Sequence, residues 1–356
     1  MVLKRPTPLF LIDLLKVIAA LLIILHHLSS YGQVARDATS ALPKIMTWCL
    51  EYGHYAVQIF LVMAGYLAAQ SLSHYVESTF NSTHLVKVIV NRYLRLLVPY
   101  AAALVITVFC AWLTRFWVSD EFVGQSETLF QFLAHLFFLQ GILGLDAISA
   151  GVWYVEIDWQ LYAVLAILMI SYPSYQALLW TIGMLAVSSL LIFNRSSQYE
   201  VYFIYFMGAY SLGVLAYLSR SYSNQAINRL ARYALVVIGF IIAVASFKQF
   251  WLRNILAWCV AMVLILWGAA PYTKLNAYNR LWLKAISWGS QRSYCAFLIH
   301  FSFILLANAL YIGSGLYDRQ NGLIALGLMA GVILLTGVTA NLLYRWVELP
   351  ARKLKI

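Results

Sequence analysis

The chain has 356 residues, of which 63% are hydrophobic and only 10% charged. A water-soluble domain carries about 25% charged residues, so this chain lacks the charge to keep a soluble surface wet. A soluble enzyme, a secreted disulfide scaffold and a disordered chain are excluded. The 24 Lys and Arg against 13 Asp and Glu leave a net charge of +11. Such an excess fits nucleic acid, anionic lipid or the topological bias of membrane loops, and its placement must decide.

Stretches such as 97–113 and 322–344 approach or exceed the roughly 20 apolar residues that cross a bilayer as a helix. The alternating ten-residue strands of a membrane barrel are absent. Fold class is therefore all-α: a polytopic membrane helix bundle with about ten transmembrane helices. The first apolar stretch, Leu9 to Leu28, contains Asp13, Lys16, His26 and His27. A signal peptide has a clean apolar centre and a small-residue cleavage site, so this is a retained helix. The expected spans are 9–30, 46–73, 95–114, 153–171, 176–193, 200–218, 231–248, 254–270, 294–312 and 323–344. The apolar piece 129–145 is short and broken by Gly141 and Gly144, which predicts a re-entrant or interfacial segment rather than an eleventh span. No repeat or appended soluble domain is expected in 1–356, which reads as a single transmembrane domain.

Ten spans put both termini on one side. That side holds 16 basic residues: Lys4, Arg5, Lys87, Arg92, Arg95, Arg220, Arg229, Arg232, Lys274, Arg280, Lys284, Arg292, Arg345, Arg352, Lys353 and Lys355. The other side holds seven: Arg36, Lys44, Arg115, Arg195, Lys248, Arg253 and Arg319. The positive-inside rule then places both termini in the cytoplasm. Charge spread over membrane loops in this way excludes a nucleic-acid partner.

A charged group in the bilayer core costs at least about 2.5–3.5 kcal/mol on insertion scales, so each asks for a reason. Lys16 and His27 are 11 residues apart, three helical turns plus about 20°, and share a face roughly 16 Å apart along the axis. Asp13 is placed to pair with Lys16; a buried structural pair explains these two equally well. His27 also fits a histidine at headgroup level, and His26, about 100° away, supports the site or faces lipid. The fourth span opens Trp153-Tyr-Val-Glu156-Ile-Asp158-Trp159-Gln160-Leu-Tyr162, which sets Asp158 at a depth close to that of His27. A carboxylate beside an imidazole orients it and raises its basicity, the pairing of general-base sites. Trp153 and Tyr162 fit an aromatic belt and packing; Glu156 lies nearer the interface. Arg92 and Arg95 are i, i+3 neighbours and suit phosphate, although anionic lipid would hold them too. His300 follows Ser293-Tyr294 by about two turns and is expected at the depth of Lys16. Cys49, Cys110, Cys259 and Cys295 are isolated, with neither disulfide nor zinc spacing. No Walker-type loop, metal cluster or nucleophile elbow occurs.

Six segments in register resemble the acyltransferase-3 family of membrane-bound acyltransferases. They are Ile12-Asp13-x2-Lys16-x10-His27; Gln58-Ile-Phe60-Leu-Val-Met-Ala64-Gly65-Tyr66; Arg92-x2-Arg95-x3-Pro99-Tyr100; Trp153 to Tyr162; Ser293-Tyr294-x5-His300; and Arg345-x2-Glu348-x-Pro350-x-Arg352. Lys16 stands where the family usually has Arg, Ala64 where Ser is common, and Asp158 at a usual Glu. The resemblance implies transfer of an acyl group, usually acetyl, from cytoplasmic acetyl-CoA or another acyl-CoA to a hydroxyl on an extracytoplasmic or lipid-linked acceptor. Acceptors are mostly sugars of surface polysaccharides, which points to a bacterial inner membrane and polysaccharide-assembly partners, with no metal. On that reading His27 deprotonates the acceptor and Asp158 orients it. Arg92 and Arg95 hold CoA phosphates, and the pantetheine arm passes Lys16 and His300. Arg345, Glu348, Ser293 and Tyr294 support the site; Ser293 is near the wrong face for a nucleophile. A proton- or solute-coupled transporter would also bury His, Asp and Lys, and a structural partner in polysaccharide assembly would use them to lock helices.

Overall fold

The computed structural model describes residues 10–76, 79–172, 174–221, 224–247, 251–267, 280–319 and 321–354. Lys4, Arg5, Lys248, Lys274 and Lys355 of the charge map lie outside these residues, as do the ends of the spans expected at 231–248 and 254–270. All regular structure among the described residues is helical, the form in which a single apolar segment satisfies its own backbone in lipid. In chain order the helices are α1 (Phe10–Ser30), α2 (Gly32–Ala41), α3 (Pro43–Tyr52), α4 (Ala56–Leu72), α5 (Ser82–Thr114), α6 (Leu129–Leu136), α7 (Trp153–Ser171), α8 (Tyr175–Leu191), α9 (Phe203–Ser221), α10 (Gln225–Ser246), α11 (Leu252–Trp267), α12 (Arg280–Gly313) and α13 (Gly322–Leu343).

Eight helical stretches are long and apolar enough to cross a membrane: Phe10–Ser30, Pro43–Tyr75, Ser82–Thr114, Trp153–Ser171, Tyr175–Arg195, Gln225–Ser246, Leu281–Gly313 and Gly322–Ala351. Each falls on an expected span. The other two expected spans are helical as well. α9 is less apolar because it carries Tyr205, Tyr210, Ser211, Tyr217 and Ser219. α11 has only 16 residues, about 24 Å.

Two helices start more than ten residues earlier than expected. α5 begins at Ser82 and α12 at Arg280, where the apolar pattern begins near 95 and 294. Hydropathy marks the part of a helix in hydrocarbon; Lys, Arg and Gln are good helix formers and extend the helix once charge is no longer penalised. Residues 31–42, outside the expected spans, form α2, whose Val34 N–H is capped by Asn308 Oδ1 of α12 at 3.1 Å.

The segment 129–145 does not span. α6 has eight residues, about 12 Å, and then breaks into turns with Phe138 and Gly144 at φ 55° and 65°. Buried His135 ties it down. Its Nδ1–H donates to the Gln131 carbonyl at 2.8 Å and its Nε2 accepts the Ile148 N–H at 3.1 Å. Burial holds this imidazole below its ordinary pKa of 6.5, against the opposing effect of the Gln131 bond. The neutral ring is the form the fold keeps, so the clamp is complete above that value and weakens as the pH falls below it. Hydrogen exchange at the Ile148 amide, corrected for its intrinsic rate, should accelerate between about pH 7 and about pH 5. A flat corrected profile would remove His135 as the clamp.

The described residues cluster into two compact units, one within 1–18, 57–89 and 157–291, the other within 19–56, 90–156 and 292–356. In the first, α9 is enclosed by α8, α10 and α11, so its polar side chains face protein rather than lipid. α4 crosses α9 backbone to backbone: a methyl group at Gly65 would overlap the Tyr210 carbonyl, and one at Gly213 the Val62 carbonyl. In the second, α5 and α12 are joined by Tyr294 Oη donating to the Leu96 carbonyl at 3.0 Å and by a Thr107–Ser302 hydroxyl pair at 2.8 Å.

Candidate active site

The site builds outward from His27, buried on α1. Its Nδ1 lies 2.7 Å from Nε2 of His300 on α12, with the ring planes 6° apart. His300 Nδ1 lies in turn 2.7 Å from the carbonyl oxygen of Phe297. A carbonyl only accepts, so His300 carries its hydrogen on Nδ1, and with the ring neutral its Nε2 is an acceptor. The hydrogen between the rings therefore belongs to His27 Nδ1. This fixes the tautomer of His27: Nε2 carries a lone pair and is the proton-accepting atom. When Nε2 takes a proton, the bond to His300 becomes charge-assisted and strengthens.

The loop before α7 closes on this pair. Gly151 holds φ +85°, and a methyl group there would stand 3.0 Å from the Phe297 ring and 3.4 Å from His27 Cε1. Tyr154 packs edge-on against Phe297, with centroids 5.8 Å apart. His26 faces another way: its Nδ1–H donates to the Cys49 carbonyl at 3.2 Å, and its ring lies 5.4 Å from that of His54. It supports the packing of α1 on α3.

By sequence, Asp158 is expected to orient His27 and His300 to lie beside Lys16. His27 Nδ1 is taken by His300. His300, expected at the depth of Lys16, stands instead level with His27, whose Nδ1 it meets at 2.7 Å. Asp158 is buried on α7 within the first unit. Lys16, Asp13 and Tyr162 belong to that unit too, half-buried; Asp13 accepts the Ser290 hydroxyl at 2.6 Å. Trp153 opens α7, and Glu156, buried one turn on, accepts the Gly141 N–H at 3.2 Å.

The Arg92-x2-Arg95 segment and Ser293-Tyr294 converge, because Tyr294 bonds the carbonyl next to Arg95. Pro99, inside α5, lacks the N–H that the regular helical pattern would direct at the Arg95 carbonyl. Arg92 is half-buried, Arg95 exposed and Ser293 buried. From Tyr294 to His300 is six residues of α12, roughly 9 Å.

Arg345 and Glu348 are differently placed, the first exposed and the second buried. Residues Tyr344–Glu348 form a π-helical turn, a wider coil that leaves Arg345 exposed. Glu348 accepts Arg352 at 2.6 Å and the Cys295 thiol at 3.1 Å. Arg292 donates to Asn341 at 2.8 Å and covers the Tyr344 ring at 4.7 Å. This cluster locks α12 to the end of α13. Among the described residues, no three of His, Cys, Asp and Glu converge as metal ligands.

A family model described as an acyltransferase domain matches residues 10–341. No curated protein and no solved structure matches the chain. The matched residues include His27, Arg92, Arg95, Asp158 and His300, on a helical framework with several membrane-length apolar stretches. The chain belongs to the acyltransferase-3 family and is a membrane acyltransferase.

Proposed function

We propose that the protein moves an acyl group, acetyl in the simplest case, from acyl-CoA to a hydroxyl of an extracytoplasmic or lipid-linked glycan. The carrying observation is the chain from the Phe297 carbonyl through His300 to His27, which leaves a lone pair on His27 Nε2. Nε2 takes the hydroxyl proton as the oxygen attacks the thioester carbonyl. The C–S bond breaks, and the departing thiolate of CoA receives that proton from Nε2. His300 positions the base. Asp158 keeps a place in the proposal as a buried carboxylate, and Asp158→Asn tests its charge without changing its shape.

Arg92 and Arg95 recognise the phosphates of CoA, with Lys16 along the path of the donor. The 16-to-seven distribution of basic residues supports a cytoplasmic entry for the donor and cytoplasmic termini. The chain then resides in a bacterial inner membrane, beside the partners that assemble the acceptor.

The test uses purified protein in lipid nanodiscs with radiolabelled acetyl-CoA. Thioester cleavage with label transferred to a glycan supports the reading; label that crosses a vesicle membrane chemically unchanged favours a transporter. Arg92→Ala/Arg95→Ala should weaken acetyl-CoA binding about 10- to 100-fold, as expected on losing hydrogen bonds to a charged group. It should also flatten the salt dependence of binding measured by calorimetry. Binding by the parent protein that is indifferent to salt overturns phosphate recognition.

A further inference from the structure

The stretch between α6 and α7 buries more polar atoms than its own hydrogen bonds satisfy. Gln140 is 2% exposed, and neither its amide oxygen nor its amide nitrogen has a hydrogen-bond partner. Ser149, 1% exposed, and the fully buried Tyr100 of α5 leave their hydroxyls unpartnered in the same way. The backbone around them is tied: Gly141 N–H to Glu156, Leu145 N–H to the Gln140 carbonyl, Ile148 N–H to His135. Folded proteins pair nearly all such buried atoms, and an exception calls for a ligand or a trapped water.

Tyr100 and Gln140 lead to Glu156, and Ser149 leads along the chain to the histidine pair. Tyr100 packs edge-on against Phe138 at 5.3 Å and lies close enough to Glu156 to interact with its charge. Glu156 is the carboxylate that Gly141, next to Gln140, bonds. Ser149 is two residues before Gly151, which packs on the Phe297 ring and on His27 Cε1. One short segment thus reaches Glu156 at one end and the His27 ring at the other.

The chemistry of the set selects its ligand. A primary amide offers two donors and an acceptor, each hydroxyl offers either role, and Glu156 only accepts when ionised. None of the four is cationic, so phosphate or carboxylate groups find no counter-charge among them. We infer that Gln140, Ser149 and Tyr100 form the acceptor subsite, holding uncharged hydroxyls of a polyol so that one of them meets His27 Nε2. The inference rests on the acyl-transfer reading of His27 and adds the residues that select the acceptor.

Gln140→Met keeps the length of the side chain and removes both unpaired atoms. The full-length protein in nanodiscs is given acetyl-CoA with a panel of methyl hexopyranosides and glycerol, and with a methyl hexuronoside as the anionic comparison. The KM for the neutral glycoside should rise about tenfold or more in Gln140→Met, as when a site loses a hydrogen bond to a substrate hydroxyl, while the Kd for acetyl-CoA holds. Ser149→Ala should move KM in the same direction. Unchanged acceptor KM in Gln140→Met overturns the inference, and a higher melting temperature alongside it assigns the buried atoms to trapped water. Acceleration by the hexuronoside alone, or by no panel member while acetyl-CoA still binds, also overturns it and leaves the donor reading intact. Acetyl-CoA neither bound nor cleaved by the parent protein overturns the donor reading itself, and the subsite with it.

Discussion

Replacing His27 with asparagine should leave a folded protein that binds acetyl-CoA and transfers acyl groups roughly 10²- to 10⁴-fold more slowly, the range a positioned general base contributes. The asparagine amide occupies the place of the imidazole Nδ1–H and keeps a donor for the buried Nε2 of His300. It lacks the second nitrogen, where the lone pair resides. Alanine is the poorer choice because it strands His300 Nε2, and a buried group without its partner costs about 1–3 kcal/mol on its own. Single-turnover release of CoA thiol reports the step directly. An undiminished rate in His27→Asn would remove His27 from the chemistry, and a raised KM at constant kcat would mark it as a binding residue.

The second large effect is on folding. Gly65→Val should abolish recovery of monodisperse protein, because the added side chain overlaps the backbone carbonyl of Tyr210 where α4 crosses α9. A clash with a flexible side chain relaxes by a change of rotamer; a clash with main chain moves a helix. Even Gly65→Ala should lose about 1–3 kcal/mol or more, the usual range for overpacking. Gly183→Ala on α8 is the control, since a methyl group there meets open space. It should be neutral or gain up to about 1 kcal/mol from helix propensity. Size exclusion and thermal unfolding of the three variants decide the matter, and a Gly65→Ala protein that melts with the parent would show the crossing to be loose.

Most helices were legible because apolar length alone specifies them in a membrane chain. The short helix α2 was not: Gly32–Ala41 is held by Asn308 and Asp37–Tyr311 contacts with α12, and no local pattern announces partners more than 270 residues away. Among site residues, His27 and His300 stood out singly as ionisable groups inside helices, yet no local spacing joins two residues 273 positions apart. The expected depth of His300, level with Lys16, gave no reason to pair it with His27. Glu348 and Arg352 were legible as one segment, but the Cys295 thiol that Glu348 accepts lies 53 residues away and has no local signal. Gln140 and Ser149 gave no signal, and Tyr100 entered only as the end of the Arg92-x2-Arg95-x3-Pro99-Tyr100 segment. Uncharged polar residues in a turn-rich stretch have neither periodicity nor an obvious burial cost until the fold closes over them.

The early starts of α5 and α12 have a mechanical consequence. Helices of 33 and 34 residues rise about 50 Å, whereas the hydrocarbon layer is about 30 Å thick. Even at a tilt of about 40°, the upper end of what transmembrane helices adopt, the layer covers roughly 39 Å of helix. Some 10 Å of each rod therefore stands clear of the oil at headgroup level or beyond. Under the proposed function, a nucleotide-bearing donor arriving at such a surface would meet helix rather than loop, and no loop would have to freeze around it on arrival. The entropy of ordering a binding wall is settled when the chain folds rather than each time a donor docks.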